Sequence, residues 1–534
     1  MNSIDLPYQK KLISSIKAGE QFYVNLLIGI LLVILHVRLH QFAFDDAYIH
    51  FRIAQNFFDS GYPYFNIQEA VKVSTSSGWT IYLTMLLFVL HALHLESNFI
   101  LIVSVLNGLI TLSGAIVFSN NLKKLSNNLS ALTIFLFKIS FIAILFQSSV
   151  GLMETPLAIL LAGIGLLRLI QMKKDGFIIL GAAAYFRPEL IILLGLAALT
   201  TIWFKGFRIV DVLIYALIGL TPFIVFDLYY YQTIIPHSVI AKSIVYLNTR
   251  VFTLGFIFLY SLPEIQFDGT FYKLLSSILL ICLFFFTGFS AFKAWRSNKK
   301  SWLPLIWLWG VFTIAAYVLE KSEIFPWYIP IYIIPILVAS TLALDEANKL
   351  QSNILLFMLF VISVLSFSRE IYSGFFDLGY SSLFKHGARV KVYLKVGEVL
   401  HQDYPYASLL IPEIGGLGYS FRGQVYDAVG LASPGALKFQ PLKIPEERDD
   451  GFIGGIPPKY VELKAPDLIV SYDIFSKALL KDKIIDQYNI IFIPAYLPED
   501  VNSSPNGTIW GSKYLRIFIR KGLPISESLL RLEK

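Results

Sequence analysis

Residues 97–122 read SNFILIVSVLNGLITLSGAIVFSNNL, without a single Asp, Glu, Lys or Arg. A helix satisfies its own backbone hydrogen bonds, and about 20 apolar residues in helical form cross the hydrocarbon of a bilayer. This stretch therefore reads as a transmembrane helix. Outward from it, comparable uncharged stretches are Gln21–Val37, Ile139–Met153 (reaching back past Lys138 to about Ser130), Thr155–Leu167, Val212–Phe226, Leu274–Phe292, Ser301–Leu319, Ile324–Leu344 and Leu350–Ser368. Trp79–Leu93 is short and reads as a juxtamembrane or half-inserted helix. Gly176–Trp203 is interrupted by Arg187-Pro188-Glu189 and reads as two short helices in a hairpin. Roughly eleven hydrophobic segments result.

Composition agrees with this reading. Of 534 residues, 56% are hydrophobic and only 15% charged, with a mean hydropathy of +0.64; soluble proteins carry about 25% charged residues. The charge is missing in blocks that stop near residue 368. The expected fold is an all-α polytopic membrane domain over 1–368 followed by a soluble α/β domain over 369–534. In the latter, Ser408–Pro412, Gln424–Ala428, Asp467–Ser471, Ile490–Pro494 and Tyr514–Arg520 read as strands, and Val390–His401 and Ser476–Tyr488 as helices. No internal repeat is visible. The lone Cys282 excludes an intrachain disulfide.

The net charge of +7 does not point to nucleic acid, because the basic residues cluster in short loops between apolar segments. These clusters are Lys10–Lys17, Lys123-Lys124, Lys173-Lys174, Lys205–Arg208, Lys293–Lys300 and Lys349. All six share one side if Trp79–Leu93 does not cross and Gly176–Trp203 returns to its starting side. The positive-inside rule then makes that side cytoplasmic. Lys10, Lys11 and Lys17 before Gln21–Val37, with no small-residue cleavage site after it, read as a retained signal anchor. The expected outer loops are 39–97, 149–154, 229–271, 320–326 and everything after 368. The protein is thus expected to be multi-pass in the inner (plasma) membrane, with an extracytoplasmic (periplasmic) C-terminal domain.

The unusual polar residues gather in those loops. Phe44-Asp45-Asp46-Ala47-Tyr48-Ile49-His50-Phe51-Arg52 opens an amphipathic helix running to about Ser60, with Ile49, Ile53 and Phe57 as its apolar stripe. Asp45, Tyr48 and Arg52 share a face. Asp45 or Asp46 can cap the helix, and a carboxylate beside a low-dielectric surface also suits a general base. Glu154, two residues before Pro156, fits the start of a helix. Arg187 and Glu189 are intramembrane charges, either an internal ion pair or a functional site. Lys242 together with Arg187 can hold a lipid phosphate. Tyr229, Tyr230 and Tyr231, like Trp327 and Tyr328, read as an interfacial belt, with sugar stacking the other use of the Trp327–Tyr328 pair. No Walker loop or metal-ligand cluster is present in the sequence, and no cofactor is expected.

Taken in order, these motifs resemble the GT-C superfamily of polytopic glycosyltransferases, and within it the branch of the cell-wall arabinofuranosyltransferases. That branch shows Asp-Asp-Ala-Tyr-Ile in the first outer loop, a Thr-Ser pair after an aromatic stretch, Gly-Met-Glu-Thr-Pro-Leu, Arg-Pro-Glu, Pro-Asn-Thr…Ala-Lys, and Glu-x-Gly…Asp-x-x-Gly-Leu-x-Ser-Pro. The corresponding residues are Asp45–Ile49, Ser74-Thr75-Ser76-Ser77, Gly151–Leu157 with one residue more before Met153, and Arg187-Pro188-Glu189 with Leu190 in place of the usual Gly. Further on stand Pro236-His237-Ser238, then Ala241-Lys242, Glu413-Ile414-Gly415, and Asp427 to Pro434.

The resemblance implies a polyprenyl-phosphate sugar as donor and a glycan, lipid or protein acceptor at the bilayer. It implies inversion at the anomeric carbon with Asp45 as base, Asp46 orienting the acceptor or Arg52, and Glu154 lining the same cavity. Arg187, Lys242 and Arg52 would hold the donor phosphate. Tyr48, Glu189, His237, Trp327, Tyr328 and Glu413 would contact substrate. The alternatives are a transporter or flippase of lipid-linked sugars, which repeated halves would favour, and a scaffold whose outer domain binds polysaccharide, against which the Asp45-Asp46 pair argues.

Overall fold

The uncharged stretches form helices. In the computed structural model, described for residues 6–126, 128–246, 248–260, 270–297, 301–344, 347, 349–376, 383–442, 455–501 and 507–533, the chain is mostly helical. Six helices among the described residues are long and apolar enough to cross a membrane: Gln21–Phe42, Glu96–Leu125, Ala131–Val150, Ile209–Tyr231, Ser277–Ser297 and Leu303–Glu320. The expectation of about eleven segments therefore divides. Most of the remaining apolar stretches form shorter helices, including Ser77–Ala92, Thr155–Ile170, Leu190–Lys205 and Ile329–Ala343. Sixteen residues of helix rise only about 24 Å, short of the roughly 30 Å hydrocarbon core.

The hairpin breaks as expected. Gly176–Ala183 ends before Arg187, and Leu190–Lys205 begins after Glu189, because Pro188 disfavours helix at the residue before it. One stretch differs from expectation: residues 229–271, read as a loop, contain the helices His237–Val245 and Arg250–Tyr260. At that length an apolar helix gives no spanning signal. The last long helix, Lys349–Phe375, runs past the point where charge returns to the sequence.

After residue 408 lie five strands, β1 (Leu409–Ile411), β2 (Val425–Asp427), β3 (Leu468–Tyr472), β4 (Tyr488–Pro494) and β5 (Tyr514–Arg520). They form one sheet in the order β2-β1-β3-β5-β4. β1 runs parallel to β2 and β3, while β5 is antiparallel to β3 and β4. The helix Phe384–Asp403 extends the expected Val390–His401 at both ends. The expected helix over Ser476–Tyr488 is instead Asp473–Lys481 and a short 3₁₀ turn, Lys483–Gln487. Asp482 sits between them with extended backbone, its side chain accepting from the Ile484 amide, and so starts a new turn.

In open sheets, ligands gather at the carboxyl ends of parallel strands. Here the segment after β1 docks on Asp45 of the helix Asp45–Ser60, and Leu431, in the segment after β2, lines a cleft with Asp46, Ile49 and His50 of that helix.

Candidate active site

Asp45–Ser60 is held at its end by Gly61, whose backbone is left-handed (φ 77°) and whose amide donates to Phe57 O. The residue before the helix is Phe44, and no side chain caps the N-terminus. The expected capping role of Asp45 or Asp46 on this helix is therefore replaced by something else, and the two aspartates diverge.

Asp45 faces the C-terminal domain. Its Oδ2 accepts from Gly415 N at 2.9 Å and its Oδ1 from Gly416 N at 2.8 Å. It therefore satisfies the first amides of the helix Gly416–Phe421, a helix remote in sequence. The approach is so close that a Cβ on Gly415 would lie 1.9 Å from Asp45 O, so only glycine fits. Burial first, then the nearby Glu413, pushes the Asp45 carboxyl up to about 7, against the pull of Arg389 and the Gly416 amide.

Tyr48 and Arg52 share this face, as the spacing predicts, but the face is spent on docking. Tyr48 is 1% exposed and packs against Tyr419. Arg52 donates to Phe65 O at 2.7 Å, to Gly423 O at 2.7 Å and to Gly418 O, and its guanidinium lies over the Phe65 ring. Two expectations change accordingly. Arg52 is not placed to hold a phosphate, because backbone carbonyls take its donors, and Tyr48 is core rather than substrate wall. Glu413 belongs to the same interface, held by Arg389 at 2.8 Å and the Tyr393 hydroxyl at 2.7 Å.

Asp46 faces the other way. With Ile49 and His50, three and four residues on, it lines an open cleft whose far walls are Val73, Ser74 and Thr75, Ser238 and Lys242, and Leu431. Asp46 Oδ2 lies 3.8 Å from Lys242 Nζ, and the ammonium sits over the Phe325 ring at 4.8 Å. Ser238 is 5% exposed, and its Oγ has no hydrogen-bond partner among the described residues. His50 Nδ1 is 3.1 Å from Ser74 Oγ. Burial holds His50 below the ordinary histidine range, against the pull of Glu154 and Asp46. Of the cleft residues, His50, Ser74, Thr75, Ser238 and Leu431 were not singled out by spacing. The available signal was that Asp46, Ile49 and His50 fall on one helical face.

Behind His50 lies a buried charge cluster. His50 Nε2 is 3.9 Å from Glu154 Oε2, and Glu154 Oε1 accepts from Arg187 Nη1 at 2.9 Å. Arg187 also grips Glu189 through Nη2 at 2.6 Å and Nε at 3.2 Å, and lies 4.4 Å over the Tyr328 ring. The Tyr317 hydroxyl donates to Glu189 at 2.7 Å. Glu154 thus starts its helix, with Pro156 in the first turn, but its carboxylate caps nothing. Arg187, expected on a phosphate, is already paired with two carboxylates at 2% exposure. Glu189 shares that pair rather than the cleft. Tyr328 stacks on Tyr317, and Trp327 on Phe325 at 4.9 Å. Trp327 is buried and Tyr328 half-buried, and neither is among the residues that line the cleft. His237 begins the helix that carries Lys242, its amide donating to Lys72 O at 2.8 Å. Its ring Nε2 has no hydrogen-bond partner among the described residues. The tyrosine belt is partial: Tyr229 is exposed, whereas Tyr231 is buried with its hydroxyl on Pro63 O.

The arrangement offers one carboxylate, one ammonium, one imidazole and a set of hydroxyls around a cleft. No protein-family model matches the chain, and no curated protein matches it in sequence.

Proposed function

We propose that the protein is a membrane glycosyltransferase of GT-C type, moving a sugar from a polyprenyl-phosphate donor to a hydroxyl of an envelope glycan, lipid or protein acceptor. The observation that carries this reading is the cleft in which Asp46 meets Lys242 at 3.8 Å, walled by the helix Asp45–Ser60 and by Leu431 of the turn after β2. A lipid-linked donor arrives from the bilayer and a polar acceptor from water, so the chemistry belongs at that junction.

In the proposed reaction Asp46 accepts the proton of the acceptor hydroxyl. The acceptor oxygen bonds to the anomeric carbon from the face opposite the phosphate. The bond from carbon to phosphate oxygen breaks, its electron pair leaves with the polyprenyl phosphate, and the configuration inverts. Lys242 turns from Asp46 to the phosphate, and the free Ser238 hydroxyl donates to it, stabilising the leaving charge where water is scarce. The base moves one residue from the position the resemblance implies, because both oxygens of Asp45 already accept amides. The six basic loops set the sidedness of this proposal: the cleft and the C-terminal domain face the periplasm.

The test is transfer by the purified protein in lipid vesicles, supplied with a panel of polyprenyl-phosphate sugars and short glycosides. Release of polyprenyl phosphate together with an inverted product is expected. Turnover of nucleotide sugars with none of the lipid-linked donors would overturn the proposal.

A further inference from the structure

Among the described residues, the C-terminal domain meets the cleft at one point, the turn after β2. Leu431 is its residue in the cleft wall, which it shares with Ile49 and Lys242. The shape of that turn depends on Asp427, which is fully buried. Asp427 Oδ1 accepts from Val429 N and Oδ2 from Ala432 N, each at 2.8 Å, so one carboxylate ties down both shoulders of the turn. The Ser433 hydroxyl oxygen accepts from the Asp427 amide at 3.0 Å. Between the shoulders, Gly430 has φ +96°, a conformation closed to side-chain-bearing residues, and a Cβ there would meet Leu437 at 2.7 Å. Gln440 Nε2 fastens Ala428 O from behind at 3.0 Å.

The turn is also tied to the membrane-side walls. The helix His237–Val245, which carries Ser238 and Lys242, packs against the 3₁₀ turn Pro434–Phe439 that follows the 428–433 turn. Asn66, in the segment leading to Ser74, bonds both the amide and the carbonyl of Val425. A surface loop would need none of this bracing.

We infer that the 428–433 turn is the acceptor-selecting wall of the cleft, with Leu431 as the specificity-determining side chain and Asp427 as its positioning residue. The inference rests on the transferase reading. Leu431, Val73 and Ile49 present apolar surface, while Asp46, Ser74 and Thr75 present oxygens. Such a cleft suits an acceptor with an apolar face and a hydroxyl edge, as a sugar ring has. The soluble domain is on this view part of the catalytic unit, closing the acceptor side of a site whose donor side is membrane-borne.

The test compares octyl glycosides carrying one or two sugars as acceptors, with one polyprenyl-phosphate sugar as donor. Leu431→Ala and Leu431→Trp should shift the disaccharide-to-monosaccharide ratio of kcat/KM in opposite directions, by roughly tenfold or more, with donor KM unchanged. Asp427→Asn keeps the volume but puts an NH2 group against one amide. It should raise acceptor KM far more than it lowers kcat, and leave hydrolysis of the donor by water intact. Leu431 variants that turn over with an unaltered ratio would overturn the inference and leave the transferase reading standing. A wild-type protein inert toward every donor would overturn both. If Asp427→Asn fails to fold, the two Leu431 variants, which change only an apolar side chain in the cleft wall, still decide the matter.

Discussion

Asp45 and Asp46 part company at the first turn of a helix, because each residue is rotated by about 100° from the last. That rotation sends Asp45 to two amides of the C-terminal domain and Asp46 to the cleft. The difference is testable through pH. The Asp45 carboxyl is pushed up to about 7, by burial first and Glu413 next. Between the unfolded value near 4 and about 7, the folded protein therefore holds a proton that the unfolded chain has released. This contribution to stability is full below the unfolded value and is lost as pH rises through the folded one. Asp45→Asn removes the titration. The excess of the wild-type unfolding midpoint over that of Asp45→Asn should be larger at pH 5 than at pH 8. An equal difference at both pH values would show that Asp45 does not titrate as a buried group. A sequence motif marks the acidic pair but not which member faces the cleft, since that depends on where a domain some 370 residues away docks.

At the scale of elements, one lysine stitches two walls of the cleft. Lys72 Nζ lies 2.5 Å from Asp227 and 2.8 Å from Ile234 O, and the Lys72 carbonyl accepts from His237 N. Asp227 lies near the C-terminal end of the helix Ile209–Tyr231 and also accepts from the Ser77 hydroxyl at 2.5 Å. A single side chain so spans the turn between that helix and the one bearing Lys242. Removing one partner of a buried pair costs about 3–5 kcal/mol, while replacing both with apolar groups is far milder. Lys72→Met should therefore destabilise strongly, and Lys72→Met with Asp227→Leu should recover much of the loss in a double-mutant cycle. Purely additive losses would contradict the pairing. Neither residue stands out by spacing, although the signal exists: a lysine between Val71 and Val73, and a carboxylate just beyond an uncharged stretch.

At the scale of the molecule, legibility follows the kind of force involved. Burial of apolar surface writes itself into composition. The long helices are visible as uncharged stretches, the five strands as β-branched runs, and the hairpin break as Arg187-Pro188-Glu189. The division of apolar segments, among the described residues, into six helices of spanning length and hydropathy and several shorter ones is less visible, because helix ends depend on packing as well as hydropathy. Domain docking is nearly invisible. Arg52 and Asp45 dock through main-chain carbonyls and amides of residues 415–423, and main-chain groups leave little trace in side-chain pattern.

The central claim is that the base is the carboxylate in the cleft. The measurement that tests it most directly sets Asp46→Asn beside Asp45→Asn, in transfer from a polyprenyl-phosphate sugar, with donor affinity followed in the same preparations. Asp46→Asn keeps the shape and removes the basic oxygen. Its turnover should fall by about 10²–10⁴-fold with donor binding retained, while Asp45→Asn should lose mainly stability. Near wild-type transfer by Asp46→Asn, alongside a folded but inactive Asp45→Asn, would contradict the claim and place the base on the face that docks the C-terminal domain.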